Sequence, residues 1–203
     1  RWQQNGFTIA ELGFGTGLNF LFTVFQWLND PAIDPGNQLH YFSIEKYPLS
    51  PADIRKACEC YPQLKHCLDE LLENYPPAVR ATHTLSMFRN RVRLTLSFTD
   101  ALTALDGTRL SADAWYLDGF SPAKNPDMWS EDIIRAIARN SREQASFATY
   151  TAVGAVRRNL QSAGFLVERS KGYGSKREML QGVLRQVIPG EQLTARYRLK
   201  DRP

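Results

Sequence analysis

Residues 7–21, FTIAELGFGTGLNFL, constrain this chain more than any other stretch. A short apolar run (Phe7, Ile9, Leu12) stops at Gly13, Gly15 and Gly17, and an apolar helical pattern follows. Physically this is a buried strand, a tight turn without side chains at alternate positions, and a helix opening beneath the turn. Such a turn lets backbone N–H groups at a helix N-terminus come close to a bound ligand. The residues around it decide which ligand.

The order of the remaining elements sets the fold class. The strand at 7–12 leads into a helix over 16–28, with Leu18, Leu21, Phe22 and Phe25 on one face. After a loop with two prolines and a glycine comes a second strand at 40–44, which ends in Glu45. Ser50 can cap and Pro51 can open a helix running to Cys60, and a further helix at 67–75 stops at Pro76-Pro77. Residues 82–88 and 91–98 alternate apolar and polar around the turn Phe88-Arg89-Asn90, predicting a hairpin that ends at Asp100. The apolar run 114–117 ends at Asp118, ahead of the loop GFSPAKNPDMW. Ser130 is placed to cap a helix over 131–138, and NSREQAS (140–146) reads as a connection to a strand at 146–150. Thr151 is placed to cap a helix over 152–163 that Gly164 stops, and KGYGSKR joins two closing strands at 165–170 and 178–187. This alternation predicts an α/β fold, a mostly parallel sheet covered by helices on both faces with an antiparallel strand near one edge.

With 203 residues, 43% of them hydrophobic, the chain can bury the core of one domain, expected over 1–188, with a basic tail at 189–203. No run of about 18 apolar residues predicts a membrane span, no signal peptide is visible, and a cytoplasmic setting is expected. Cys58, Cys60 and Cys67 are an odd number crowded into ten residues, a poor disulfide framework that fits a reducing compartment. Together with His66 they form C-x-C-x5-H-C, which matches no zinc spacing and falls on helical sequence, so no metal is expected. The net charge of +4 is uneven: residues 166–203 hold nine Lys or Arg against four acids, the first 165 hold sixteen against seventeen. A solvated face would explain that surplus, and so would a nucleic-acid partner.

In open α/β sheets, ligands sit outside the carboxyl ends of the strands. Here those ends carry the glycine turn, Glu45, Asp100 and Asp118 in succession. The dinucleotide fingerprint G-x-G-x-x-G needs a third glycine where this chain has Leu18; its own spacing is G-x-G-x-G, preceded by Glu11. Acidic groups around the turn suit a ligand carrying an amine and a sulfonium better than one carrying a pyrophosphate. S-adenosylmethionine is therefore favoured over NAD or FAD. Glu45 is placed to accept from ribose hydroxyls and Asp100 from the adenine amino group.

The segments ELGFGTGLNFL, FSIEKYPLS, DAWYLDGFSPAKNPDMWS, FATYTAVGAVRRNLQSAGF and GYGSKREML together resemble one family. It is the methyltransferase domain that completes 5-methylaminomethyl-2-thiouridine at the wobble position of tRNA. The resemblance runs from Phe7 to Val187 and implies a Rossmann-like class I fold: a mostly parallel seven-stranded sheet with an antiparallel strand and an extra hairpin. It implies methyl transfer from S-adenosylmethionine to the primary amine of 5-aminomethyl-2-thiouridine, with the tRNA anticodon region as partner. In many bacteria the domain is fused to a FAD-dependent oxidoreductase. Carried over by motif, Glu11 and the loop of Gly13, Phe14, Gly15 and Gly17 hold the methionine part of the cofactor, Glu45 the ribose and Asp100 the adenine, and Asn19, Lys46 and Ala101 complete the cofactor site. Asp118 falls on the family's essential acid, beside the donor methyl. Lys124 and Asn125 on the following loop, and Lys171, Lys176 and Arg177 near the last turn, would face the RNA, while Trp129 would either stack on a base or anchor the loop as a hydrophobic residue.

Family members have a substantial segment before the first strand, whereas six residues precede Phe7 here, so a shortened start is expected. No second Gly-rich strand–helix unit follows Val187, so the oxidoreductase half is expected to be absent from this stretch. On the residues alone, three rivals stay open: a nicotinamide-dependent oxidoreductase, a methyltransferase acting on another small-molecule or protein amine, and a catalytically inactive RNA-binding domain.

Overall fold

A computed structural model describes residues 2–119, 122, 124–172 and 178–185. In chain order the elements are β1 (Phe7–Leu12), α1 (Leu18–Asn29), β2 (Leu39–Ile44), α2 (Pro51–Cys58), α3 (Lys65–Asn74), β3 (Thr82–Met87) and β4 (Val92–Ser97). Then follow α4 (Ala101–Asp106), β5 (Ala112–Leu117), α5 (Glu131–Arg139), β6 (Ser141–Thr149), α6 (Gly154–Ser162), β7 (Phe165–Lys171) and β8 (Glu178–Leu184).

The strands form one eight-stranded sheet in the order β3-β4-β2-β1-β5-β6-β8-β7. From β4 through β6 every neighbouring pair is parallel. β3 is antiparallel to β4, and β8 is antiparallel to both β6 and β7, so β7 runs in the direction of β1. The expected seven strands and extra hairpin are thus a single sheet, because β3 adds to the edge at β4. Antiparallel strands lie toward both edges rather than one.

Side-chain alternation sends each strand's residues to two helical layers. Phe7 and Ile9 of β1 pack with α1 (Phe20, Leu21, Val24, Trp27), α2 (Ile54) and α3 (Leu68, Leu71). Ala10 and Leu12 pack the other way, with α4 (Leu105), α5 (Ile133, Ile134, Ile137) and α6 (Val156, Leu160). A strand covered on both faces is apolar nearly throughout, and all six residues of β1 are buried. The exception in chemistry is Glu11, a carboxyl at 0% exposure in the middle of the sheet.

Local signals set the helix starts. The Ser50 hydroxyl accepts from the Asp53 N–H, and the Ser130 hydroxyl from the Ile133 N–H, both as expected of N-caps. The start of α6 differs: its N-cap is Val153, with no side-chain cap, while the Thr151 hydroxyl accepts from Val153 N–H at 3.4 Å. Thr151 closes the turn before the helix instead of capping it. NSREQAS is not a connection, since β6 already begins at Ser141 and passes through an irregular register against β5 with Gln144 at φ +63. A bulge there turns Ala145 inward while residues 142–144 stay exposed, which masks the strand's alternation. α4 has no periodic signal in the sequence, since one and a half turns are too short to show one. The turn Phe88-Arg89-Asn90 is left-handed at all three residues, φ 52, 54 and 66. Glu70 steadies it by accepting the Phe88 N–H at 2.9 Å. The tail at 189–203 lies outside the described residues.

Candidate active site

The glycine turn is held by hydrogen bonds of its own. Gly13 N–H donates to the Ile44 carbonyl (2.8 Å), Gly17 N–H to the Phe14 carbonyl (2.8 Å), and Gly15 N–H to Glu45 Oε2 (2.9 Å). Glu45 Oε1 accepts the Tyr47 N–H at 2.8 Å, so one carboxylate ties the turn after β1 to the turn after β2. Gly13 has φ +86, and a Cβ there would stand 3.2 Å from the Asp118 carbonyl oxygen. Only glycine allows β1 and β5 to end this close together. Gly17 has φ +75, and its absent Cβ would meet the Phe14 ring at 2.9 Å. Phe14 itself is buried, with its ring against Phe20 and Tyr75. Its ring belongs to the core, so what it offers a ligand is backbone.

Beneath the turn lies a cluster built from β1, α1, β2 and the end of β5. Asn19, in the first turn of α1, donates through Nδ2 to Glu11 Oε1 (2.9 Å) and to Asp118 Oδ2 (3.0 Å). Ser43 on β2 donates its hydroxyl to Glu11 Oε2 at 2.7 Å. Complete burial pushes the Glu11 carboxyl up to about 8, against the pull of its Asn19 and Ser43 hydrogen bonds. The Tyr41 hydroxyl faces the same carboxyl without meeting hydrogen-bond geometry. Asp118, by contrast, is only half-buried, so the cluster runs from a sealed carboxyl to an accessible one.

A second feature opens between the ends of β2 and β4. A cleft of about 480 Å³ is lined by Lys46, Tyr47, Pro48, Ala78, Val79, Arg80, Phe98, Thr99 and Asp100. Asp100 is also the N-cap of α4: Oδ1 accepts the Thr103 N–H (2.9 Å) and Oδ2 the Thr103 hydroxyl (2.7 Å). The Thr103 hydroxyl, then its N–H, hold the Asp100 carboxyl below the usual range, with a smaller contribution from Arg80. Ala101 follows as the first residue of α4. Sequence reasoning missed Tyr47, Val79, Arg80 and Phe98. The segment after Pro76-Pro77 carries no sign that it returns to the sheet edge.

Other expected residues divide. Lys124 is exposed and Asn125 half-buried on the loop after Asp118. Of the two readings of Trp129, its packing favours the anchor: at 6% exposure it lies among Ile133, Ile134 and the rest of that core layer. It anchors the loop and offers no open face for a base. Lys171, exposed, ends β7 at the same carboxyl edge as Asp118, because β7 runs with β1. Lys176 and Arg177 lie outside the described residues. Among those residues, no three His, Cys, Asp or Glu gather as metal ligands, and no helix is long and apolar enough to cross a membrane.

The chain is similar to known proteins in sequence and in fold. The chain is 48% identical over 183 residues to the tRNA 5-methylaminomethyl-2-thiouridine biosynthesis bifunctional protein MnmC of Marinobacter nauticus, covering 90% of this chain and 29% of that protein. It is 44% identical over 196 residues to the MnmC of Aeromonas hydrophila, covering 94% of this chain and 30% of that protein. The chain therefore spans less than a third of these relatives' length. Among solved structures, MNMC2 from Aquifex aeolicus superposes with a TM-score of 0.70 at 26% identity, covering 93% of this chain and 57% of that one. The sequence family described as S-adenosyl-L-methionine-dependent methyltransferase matches residues 62–185, from the approach to α3 through β8 and including Asp100 and Asp118. More than half of the chain lies within that match, on a sheet whose carboxyl edge gathers the glycine turn and its acids: the chain belongs to the S-adenosyl-L-methionine-dependent methyltransferase family.

Proposed function

We propose that this protein transfers a methyl group from S-adenosylmethionine to the primary amine of 5-aminomethyl-2-thiouridine at the wobble position of tRNA. The observation that carries the reading is the half-buried Asp118 carboxylate at the end of β5, beside the glycine turn and bonded through Asn19 to Glu11. The substrate follows the names of the relatives above.

The residues present suit the donor. Among the described residues no cation pairs with Glu45 or Asp118, which leaves two acids at the rim for an ammonium and a sulfonium, while Glu11 beneath them keeps its proton below about 8. The cleft between Lys46 and Asp100 has a volume common for small-molecule sites, and it would take the adenosine. The turn backbone would hold the methionine part, with the buried Glu11 behind it, and Glu45 the ribose. When bound, the donor supplies an electrophilic methyl whose S–C bonding pair returns to sulfur. The amine must arrive neutral, with its lone pair in line with that bond. Asp118 orients it by accepting one N–H and then takes or relays the proton that the new ammonium releases.

On the RNA side, Lys124, Asn125 and Lys171 lie at the carboxyl edge and would meet the anticodon region. Lys176 and Arg177 extend the same basic turn in sequence. The FAD-dependent oxidoreductase is proposed as a fused domain of the longer protein, in keeping with relatives described as bifunctional. The test is Asp118→Ala in the full-length protein. Loss of about 10²-fold or more in turnover with donor affinity kept is expected, and near-normal turnover would overturn the assignment.

A further inference from the structure

Two different neighbours place Asp118. Its backbone is set by Gly13, where a Cβ would come within 3.2 Å of the Asp118 carbonyl oxygen. Its side chain is set by Asn19, whose Nδ2 lies 3.0 Å from Oδ2. No other hydrogen bond reaches the Asp118 carboxylate among the described residues. A carboxylate only accepts, so the Asn19 atom facing it must be the amide nitrogen.

That nitrogen has two hydrogens, and the second goes to Glu11 Oε1 at 2.9 Å. Glu11 is fully buried and is itself held by Ser43 of β2 at 2.7 Å. The chain of hydrogen bonds therefore runs from the rigid middle of the sheet, through one amide, to the one accessible carboxylate of the cluster. Asn19 has no donor left for a ligand; only its Oδ1 is available, as an acceptor. This differs from simply touching the cofactor.

We infer that Asn19 is a positioning residue for the reacting carboxylate, fixing the rotamer of Asp118 against the buried Glu11. The inference rests on the reading of Asp118 as the group that handles the substrate amine. An unheld carboxylate at a loop start samples several rotamers, and a misplacement near 1 Å at a reacting centre costs about 10²-fold in rate.

The test is a double-mutant cycle in the full-length protein, with S-adenosylmethionine and tRNA lacking the terminal methyl. Asn19→Ala is expected to lower kcat roughly 10- to 100-fold, a larger change than in donor affinity by calorimetry or in the KM for tRNA. In an Asp118→Ala background, Asn19→Ala is expected to lower kcat no further, because its partner is already gone. Asn19→Ser, which keeps one donor, should retain more turnover than Asn19→Ala and serves if the alanine variant does not fold. Full additivity of the two losses, or an Asn19→Ala enzyme with unchanged kcat, would overturn the inference while leaving Asp118 in its role. An Asp118→Ala enzyme with normal turnover would instead remove the reading on which it rests.

Discussion

The carbonyl oxygen of Asp118 lies 3.2 Å from the place a Cβ on Gly13 would occupy. The first turn of the chain and the acid that closes β5 are thus one unit, although 105 residues separate them. Gly13→Ala would force a left-handed alanine, at φ +86, and press its Cβ against that carbonyl at 3.2 Å, so that Asp118 must give by a few tenths of an ångström. A loss of about 1–3 kcal/mol in stability is expected by chemical denaturation, along with reduced turnover as Asp118 shifts. Gly15→Ala meets nothing within 4 Å and carries only the strain of its φ of +52, so its effect on Asp118 should be smaller.

Glu11 makes stability depend on pH in a direction unusual for a carboxylate. Its carboxyl sits at about 8 when folded, against 4.5 ordinarily, because it is desolvated. Between those values the folded chain keeps a proton that the unfolded chain has lost, so this group's contribution falls as pH rises through the window. Its slope reaches about 1.4 kcal/mol per pH unit at most. The charges and titratable groups around it are Tyr41 and Asp118, with Asn19 and Ser43 as neutral partners. Urea denaturation across the window should show that slope in the wild type and its loss in Glu11→Gln. Binding the donor's ammonium beside Glu11 should release a proton, detectable by calorimetry in buffers of different ionisation enthalpy.

Asp100 should separate a structural effect from a binding one. As the cap of α4 it contributes about 1 kcal/mol, so Asp100→Ala should lower stability by that much, and Thr103→Val by less, since valine keeps the capping N–H and loses only the hydroxyl bond. Its carboxyl is held low by Thr103, so that contribution is present above 3.8 and lost as pH falls through the depressed value. If Asp100 also receives the adenine, Asp100→Ala alone should weaken S-adenosylmethionine binding substantially in calorimetry.

Trp129 is expected to act through the core. Trp129→Ala removes a large buried side chain from the layer of Ile133 and Ile134, and about 3–5 kcal/mol of stability with it. Trp129→Phe should retain most tRNA affinity. A selective loss of RNA binding in the phenylalanine variant, with stability kept, would return Trp129 to a stacking role.

Charge reversal at Lys124 or Lys171 should weaken tRNA binding and reduce the salt slope by about one for each phosphate no longer neutralised. Unchanged salt dependence would place the RNA surface elsewhere.

What the sequence makes legible follows the physics of each signal. β1 is legible to its observed limits because a doubly covered strand is mostly apolar and glycines mark its end. Ser50 and Ser130 are legible because capping is a local hydrogen bond. α4 is not, being too short for a helical period, and the start of β6 is hidden by a bulge and three exposed residues. In the site, topology alone places the acids at the strand ends. The Asn19 bridge is beyond its reach, since it depends on a side-chain rotamer spanning 99 positions. So is the wall of the cleft at Val79 and Arg80, which is brought to Asp100 only by the folded edge hairpin.

The central claim is tested most directly by incubating the full-length protein with labelled S-adenosylmethionine and tRNA lacking the terminal methyl, then analysing the nucleosides. Label appearing in 5-methylaminomethyl-2-thiouridine, and lost with Asp118→Ala, is the expected result. A protein that binds the donor but leaves that nucleoside unlabelled, or that methylates a different amine, would contradict it.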